Sequence, residues 1–145
     1  MNTDQTSTDP GGLDILGRRE CVRLLASVRL GRIVHTEQAL PAVRLTDFAL
    51  AQDTIVIRTS WRAMPDGGRH PVVAFEADAV DEHARTGWSV TVVGHARAVQ
   101  DPAEIAELDG LGLRPWSGED DAHYVRISVE RVTGRRIAAR DGEPV

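Results

Sequence analysis

Residues 40–59 read LPAVRLTDFALAQDTIVIRT, and this stretch decides the class of fold. Apolar and polar side chains alternate in its first part, residues 40–50, as they do in a strand with one buried face. Its last part, residues 54–59, is β-branched apart from one arginine, which is typical of a strand. The stretch therefore predicts two neighbouring strands joined by a short connection.

Further strands are predicted on both sides of this stretch by the same two-residue period. They cover residues 30–36, 71–77, 88–99, 124–129 and 131–138. Gly94, in the middle of the longest of them, predicts a bulge or the bend of a barrel. Because the strands follow one another with few helices between them, the pattern favours an antiparallel sheet closed into a small barrel over a doubly wound parallel sheet.

Two peripheral helices accompany the strands. The first has Gly17 as its N-cap, and its apolar side is formed by Cys21, Leu24, Leu25 and Val28. The second begins with Asp101 as N-cap, Pro102 at the first helical position and Glu104 in the first turn. Its apolar side is formed by Ile105 and Leu108.

The composition excludes several classes of protein. The 145 residues carry 17 basic and 22 acidic side chains, a net charge of −5, which argues against a nucleic-acid partner because such partners are bound largely through phosphate neutralisation. No apolar run is long enough to cross a membrane and the N-terminal residues do not resemble a signal peptide, so we expect a cytoplasmic protein with no membrane partner. The single cysteine and the scattered histidines predict neither a disulfide nor a metal site.

The chain is predicted to form one domain between two tails. Residues 1–12 are polar and end in Pro-Gly-Gly, so we expect a disordered N-terminal tail. The folded domain covers residues 13–139, and residues 140–145 form a C-terminal tail.

Two segments contain the candidate binding residues. In residues 40–48, polar side chains interrupt an apolar strand, and Arg44 is either a solvent-facing ion-pair partner or a contact for an anion or a ring. In residues 57–62, a strand ends in two hydroxyl groups between two arginines, which suits a phosphate dianion. The alternative for the second segment is a simple turn at the end of a strand. The chain contains no P-loop, nucleophile elbow or dinucleotide fingerprint.

Through these segments the chain resembles the flavin-binding split-barrel proteins related to pyridoxamine 5′-phosphate oxidase, and most closely the small actinobacterial members. The order and spacing of several stretches, rather than one diagnostic motif, carry the resemblance. The stretches are residues 20–25, 31–34, 40–44, 56–59, 72–78, 86–90, 113–116 and 132–136.

The resemblance implies a mainly β fold, a six-stranded antiparallel split β-barrel with peripheral helices. It also implies a homodimer with FMN in a groove at the subunit interface, acting as an oxidoreductase on a small-molecule substrate. The flavin ring would lie along Val43, Arg44, Asp47 and Phe48. The ribityl chain and phosphate would be approached by Arg58, Thr59, Ser60 and Arg62. Trp88, Ser89 and Trp116 are candidates for the same groove, and the alternative for the two tryptophans is packing in the core or the dimer.

The resemblance does not single out a catalytic acid or base. His35, His95 and Tyr124 are candidates, and nothing in the sequence selects one of them. A haem-binding barrel is a further alternative, which would need an axial ligand such as His35 or His70.

Two departures from the family pattern open an alternative function. Flavin-binding members commonly follow the Arg-Thr strand end with a turn, a lysine and a short helix. Residues 60–71 contain no lysine here, and Pro65 and the Gly67–Gly68 pair interrupt a helix. Asp47 stands where an asparagine is common. The alternative is a non-enzymatic ligand-binding or interaction protein on the same barrel, with weak or lost flavin binding, or with a deazaflavin in place of FMN.

Overall fold

The computed structural model describes residues 7–62, 70–115 and 121–137 of the chain. These residues form nine strands and two helices. In chain order the elements are β1 (Ser7–Thr8), β2 (Asp14–Leu16), α1 (Arg18–Ala26), β3 (Leu30–Glu37), β4 (Leu40–Ala51), β5 (Thr54–Thr59), β6 (Val72–Asp81), β7 (Thr86–Ala98), α2 (Pro102–Asp109), β8 (His123–Ser128) and β9 (Arg131–Ile137).

Six strands pair in a ring, in the order β3–β4–β5–β8–β7–β6 and back to β3. Every neighbouring pair is antiparallel. The predicted six-stranded antiparallel barrel is therefore confirmed. The strands β9, β2 and β1 continue the sheet outwards from β7.

The ring closes where β7 changes partners at Gly94. Residues 87–93 of β7 pair with β9, whereas residues 96–98 pair with β8. A Cβ atom at position 94 would overlap the carbonyl oxygen of Ser128. Glycine is thus required for the close approach of β7 to the end of β8. The bend predicted from the sequence is the point at which the sheet becomes a barrel.

Aliphatic side chains fill the interior of the barrel. Phe48 and Phe75 meet edge to face at its centre, with ring centroids 4.8 Å apart. The residues around them are almost completely removed from solvent: Ile33, Ile55, Ile57, Val90, Val92, Val125 and Ile127. Their burial is the main source of stability of the fold.

Both predicted helices are present at the periphery. α1 packs Cys21 against β9, where a side chain at Gly134 would come within 2.5 Å of the cysteine sulfur. α2 is capped by Asp101, whose carboxylate accepts a hydrogen bond from the backbone N–H of Glu104 at 3.3 Å. Leu108 of α2 is buried in a second, smaller apolar cluster on the outside of β5 and β8. Neither helix is long and apolar enough to span a membrane.

Residues 7–16 form a small hairpin that lies against β9. Asp9 ties its turn together by accepting hydrogen bonds from the backbone N–H groups of Leu13 and Gly11, and it pairs with Arg135 at 3.1 Å. These contacts, that of Leu13 first, lower the pKa of the Asp9 carboxyl. The tail boundary predicted at Gly12 lies inside this turn, because pairing with β9 extends the sheet to Ser7. Residues 1–6 and 138–145 lie outside the described residues.

Candidate functional site

Four large apolar side chains are exposed on the outside of three adjacent strands, and we call this surface the outer apolar face. Leu30, Val43, Leu45 and Val72 are 43%, 62%, 45% and 59% exposed. They lie on β3, β4 and β6, and in the register Val43 opposes Val34 while Leu45 opposes Arg32. Grouped exposed apolar side chains of this kind mark a surface for contact with a ligand or another protein.

A charged group lies within the outer apolar face. Arg32 donates to Glu76 at 3.0 Å and to Asp78 at 3.2 Å. Burial, together with the neighbouring Asp78, raises the pKa of Glu76 to about 7, although Arg32 opposes the shift. Two carboxylates thus share one guanidinium in a partly desolvated position, so the charge of this face changes near neutral pH.

Asp47 and Arg58 lie on the outer side of the neighbouring strand pair. Phe48 opposes Ile57 in the register, and both point into the core. Because side chains alternate along a strand, the adjoining Asp47 and Arg58 point outwards. The guanidinium of Arg58 lies 5.5 Å from the ring centroid of Tyr124. Its Nε is buried and has no hydrogen-bond partner among the described residues, which makes it a donor suited to a ligand oxygen.

The ring of Tyr124 lies against the guanidinium of Arg58. Its hydroxyl donates to the carboxylate of Asp109 at 2.7 Å, which connects β8 to the end of α2. Burial raises the pKa of Tyr124, and Asp109 raises it further. The phenol therefore stays protonated, and it serves as a fixed platform for the guanidinium rather than as a base.

Residues 60–62, directly after β5, bend so that Trp61 packs against the core cluster. The hydroxyl of Thr59 accepts a hydrogen bond from the backbone N–H of Trp61 at 3.1 Å, and both residues are buried. Ser60 is half-buried, and Arg62 is exposed. The local Thr59–Trp61 contact thus directs the indole inwards and leaves Arg62 at the surface.

A cavity of about 640 Å³ lies at the tip of the β3–β4 hairpin, and we call it the hairpin cavity. Its wall is made by the hairpin tip and by the segment that follows β5. The lining residues are Thr36, Glu37, Gln38, Leu40, Pro41, Ala42, Trp61 and Arg62. Pro41 is two residues from Val43 on the same side of β4, so the cavity adjoins the outer apolar face.

Behind the wall of the hairpin cavity lies His35. Its imidazole is buried and lies against the indole of Trp61, with ring centroids 4.5 Å apart. Neither ring nitrogen has a hydrogen-bond partner among the described residues. Burial lowers the pKa of His35 and Arg44 adds to the effect, whereas Glu37 and the backbone of Thr36 oppose it. The imidazole is therefore neutral at pH 7.

The structure divides the residues predicted to lie along the flavin ring between the two sides of β4. Val43 and Asp47 lie outside, whereas Phe48 is 2% exposed and packs in the core. Arg44 opposes Ile33 in the register and lies on the inner side of the hairpin, where it pairs with Glu37 at 3.2 Å. Strand alternation imposes this division, because consecutive residues cannot share a face.

The residues predicted on β7 lie on opposite sides of that strand. Trp88 packs against the core cluster, and Ser89 is exposed on the outside. Ser89 pairs with Asp78 of β6, and β6 and β3 separate it from β4. Within one chain the predicted groove residues of β4 and β7 are therefore apart. Trp116 lies outside the described residues, as do residues 63–69 of the altered segment.

Glu37 is the site residue that the sequence analysis missed. It lines the hairpin cavity and lies 3.9 Å from Nε2 of His35. A signal for it was present, since the alternation that buries Ile33 also directs His35 and Glu37 to the inner side of β3. Within the described ranges, no three His, Cys, Asp or Glu side chains come together as metal ligands would.

Comparisons with known proteins agree over most of the chain. The family model for pyridoxamine 5′-phosphate oxidase matches residues 17–136. An uncharacterised protein of Mycobacterium tuberculosis is 42% identical over 137 residues, which cover 89% of this chain and 88% of that one.

Solved structures match as well. The FAD-binding protein from Mycobacterium smegmatis is 37% identical with a TM-score of 0.67, over 86% of this chain and 99% of that one. A conserved protein of unknown function from Corynebacterium diphtheriae is 31% identical with a TM-score of 0.70, over 90% of this chain and all of that one.

Proposed function

Because the chain belongs to the pyridoxamine 5′-phosphate oxidase family, we propose that it binds a flavin and acts as an oxidoreductase on a small molecule. The resemblance seen in the sequence favours FMN. The relative from Mycobacterium smegmatis, which is 37% identical, is an FAD-binding protein, and this supports a flavin of either kind. A deazaflavin is the remaining candidate.

The main support for the proposal is the buried Nε–H of Arg58, which has no hydrogen-bond partner among the described residues. A buried N–H without a partner costs free energy, and an anionic ligand oxygen relieves that cost. Arg58 is held against Tyr124, so its guanidinium is already oriented before a ligand arrives. Arg58 and Asp47 point to the same outer side, next to the exposed Val43. A cation, a carboxylate and an apolar strand together suit a flavin, whose ring is flat and whose side chain carries phosphate.

Each of these residues has a proposed role toward the flavin. Val43 contacts the ring, and the carboxylate of Asp47 accepts from a ring N–H, which an ionised acid can do. Arg58 and Arg62 neutralise the phosphate, and the hydroxyl of Ser60 donates to it. Flavin, when bound, supplies the transfer of a hydride or of single electrons, and the protein orients it.

The proposed groove is completed by a second copy of the chain. Ser89, on the outside of β7, lies away from Asp47 within one subunit, so a partner subunit is needed to bring this residue to the flavin. The outer apolar face provides the surface for that contact, since it exposes Val43 and Leu45 on β4 and Leu30 on the adjacent β3. Homodimers bury such apolar faces. We therefore propose a homodimer with the flavin at its interface.

The first experiment is a titration of the purified full-length chain with FMN, FAD and a deazaflavin, followed by flavin fluorescence and absorption. We expect saturable binding of at least one of them. Arg58→Met should weaken it by about ten- to a hundredfold, the scale of a lost charge-assisted hydrogen bond. Arg19→Met, on the exposed side of α1, removes the same charge elsewhere and should leave the affinity unchanged.

Two outcomes would contradict the proposal. A chain that binds none of the three cofactors leaves the non-enzymatic alternative in its place. A chain that binds one of them equally well with and without Arg58 keeps the cofactor and removes the phosphate role of that arginine.

A further inference from the structure

The carboxylate of Glu37 lies between a cation and a buried imidazole. Its Oε1 accepts from Nη2 of Arg44 at 3.2 Å and lies 3.9 Å from Nε2 of His35. Glu37 is 47% exposed, whereas the side chain of His35 is completely buried. The acid is thus the solvent-accessible member of this group, and the imidazole is the buried one.

His35 needs a partner that the chain itself does not provide among the described residues. Both ring nitrogens are buried without hydrogen bonds, although buried polar atoms in folded proteins are nearly always paired. In the tautomer with its proton on Nε2, the ring offers an N–H donor towards the place where the Glu37 carboxylate lies. The Glu37 oxygen, 3.9 Å from Nε2, is too far away for a hydrogen bond. A ligand oxygen closer to Nε2 completes this bond.

The rest of the hairpin cavity suits an apolar body that carries one anionic group. Leu40, Pro41, Ala42 and Trp61 contribute apolar atoms to its lining. Arg62 is an exposed cation of the lining. The volume of about 640 Å³ is in the range of pockets for small organic ligands.

We propose that the hairpin cavity is a binding site for a small carboxylate with an apolar body, and that the side chain of Glu37 occupies the place of the ligand carboxylate until the ligand arrives. The incoming carboxylate takes the guanidinium of Arg44 and the Nε2–H of His35. Glu37 moves into solvent, at a small cost because exposed ion pairs contribute little. The apolar body packs against lining residues such as Leu40 and Trp61.

Arg62 is common to the hairpin cavity and the proposed phosphate contacts, but the residues that hold the ligand carboxylate, Arg44 and His35, are not part of the proposed flavin groove. Arg44 lies on the inner side of the hairpin, whereas Asp47 and Arg58 lie on the outside. We therefore expect the carboxylate to bind whether or not the chain binds a flavin.

The test uses benzoate as a probe, titrated into the full-length chain and into variants by calorimetry. Glu37→Gln removes the competing carboxylate and should tighten benzoate binding about two- to fivefold, the range of an exposed ion pair. Arg44→Met should weaken it at least about tenfold, because it removes a charge-assisted hydrogen bond. Glu107→Gln, an exposed acid on α2, is the charge-matched control and should bind like the unaltered chain.

A second readout follows His35 directly. The ¹⁵N shifts of its ring nitrogens should move on addition of benzoate in the unaltered chain and in Arg58→Met, but not in Arg44→Met. Phenyl phosphate, titrated in parallel, separates a carboxylate site from a general anion site.

Each contrary result overturns the proposal. These results are the absence of benzoate binding in the millimolar range, an equal affinity of Glu37→Gln and Glu107→Gln, and binding that is lost in Arg58→Met alone. Tighter binding of phenyl phosphate than of benzoate would also reject the carboxylate as the ligand group.

Discussion

The imidazole of His35 lies against the indole of Trp61 at the open end of the barrel, with ring centroids 4.5 Å apart and planes inclined by 35°. The two residues are 26 positions apart in the chain. β3 directs His35 inwards, and the turn at Thr59 directs Trp61 back over it. This contact closes the barrel beside the hairpin cavity and keeps a titratable group out of water.

We expect the burial of His35 to make stability depend on pH. Its pKa in the folded chain is below the ordinary value of 6.5, so between those two values the unfolded chain binds more protons. The contribution of His35 is therefore fully present above about pH 6.5 and is lost as pH falls towards the folded pKa. Glu37 and Arg44 are the charged groups facing the ring, and they oppose each other.

Urea denaturation at several pH values between 5 and 8 measures this dependence. The unaltered chain should lose more stability on acidification than His35→Gln does. His83→Gln, at an exposed turn, should keep the slope of the unaltered chain. Parallel slopes for the unaltered chain and His35→Gln would show that another group is responsible.

Glu104 should be important for stability because it neutralises a buried arginine. Arg126 is 5% exposed and donates to Glu104 at 2.7 Å, with Thr54 as a further partner at 2.7 Å. Glu104→Gln leaves the guanidinium without its counter-ion, which we expect to cost about 2–4 kcal/mol of unfolding free energy. Glu107→Gln on the same helix should change it by less than about 0.5 kcal/mol. Equal stabilities in the two variants would refute the role of this pair.

Gly94→Ala should destabilise the chain at the closure of the barrel. The added methyl group would overlap the carbonyl oxygen of Ser128, so β7 and β8 must separate. We expect a loss of at least about 2 kcal/mol, as for other overpacked positions. Gly17→Ser is the comparison, because its Cβ meets nothing within 4 Å and serine is a better N-cap. Gly17→Ser should leave stability unchanged or raise it. The midpoints of thermal unfolding of the two variants test this, and equal midpoints would contradict the role of Gly94.

Leu45→Glu should prevent the proposed self-association. Leu45 is 45% exposed and opposes Arg32 on the outer apolar face. A buried carboxylate at an apolar interface is costly, whereas in a monomer the same residue is solvated. Light scattering should give twice the chain mass of 15.8 kDa for the unaltered protein and 15.8 kDa for the variant. Ile15→Glu, 39% exposed on β2, should remain a dimer. A monomeric unaltered chain at micromolar concentration would contradict the dimer.

Local patterns were sufficient for the elements of the fold. The alternation in residues 40–59 predicts β4 and β5, because a strand with one buried face has apolar side chains at every second position. Gly94 also indicated the bend locally, because a glycine within a strand often marks a bulge or a close approach of another backbone. β6 and β7 are longer than predicted, because their hairpin continues into exposed residues such as Asp81 that carry no apolar signal.

The candidate site was predicted only in part. The arginines and hydroxyl groups of residues 57–62 were correctly placed at the end of a strand, but which side of the barrel each one faces depends on register. Phe48 and Val43 belong to one segment in the sequence, yet one is in the core and the other is at the surface. Trp88 and Ser89 are separated in the same way.

By itself the sequence determined the antiparallel barrel, its two helices and its family, because all three are expressed in the period, capping and order of consecutive segments. Only the tertiary structure decided that His35 meets Trp61, that Glu37 lies between His35 and Arg44, and that Arg58 rests on Tyr124. Apart from the pair His35 and Glu37, which both lie on β3, those contacts join residues of different elements or segments. They depend on closure of the ring and on strand register. A change of register by one residue moves a side chain from one face of the strand to the other.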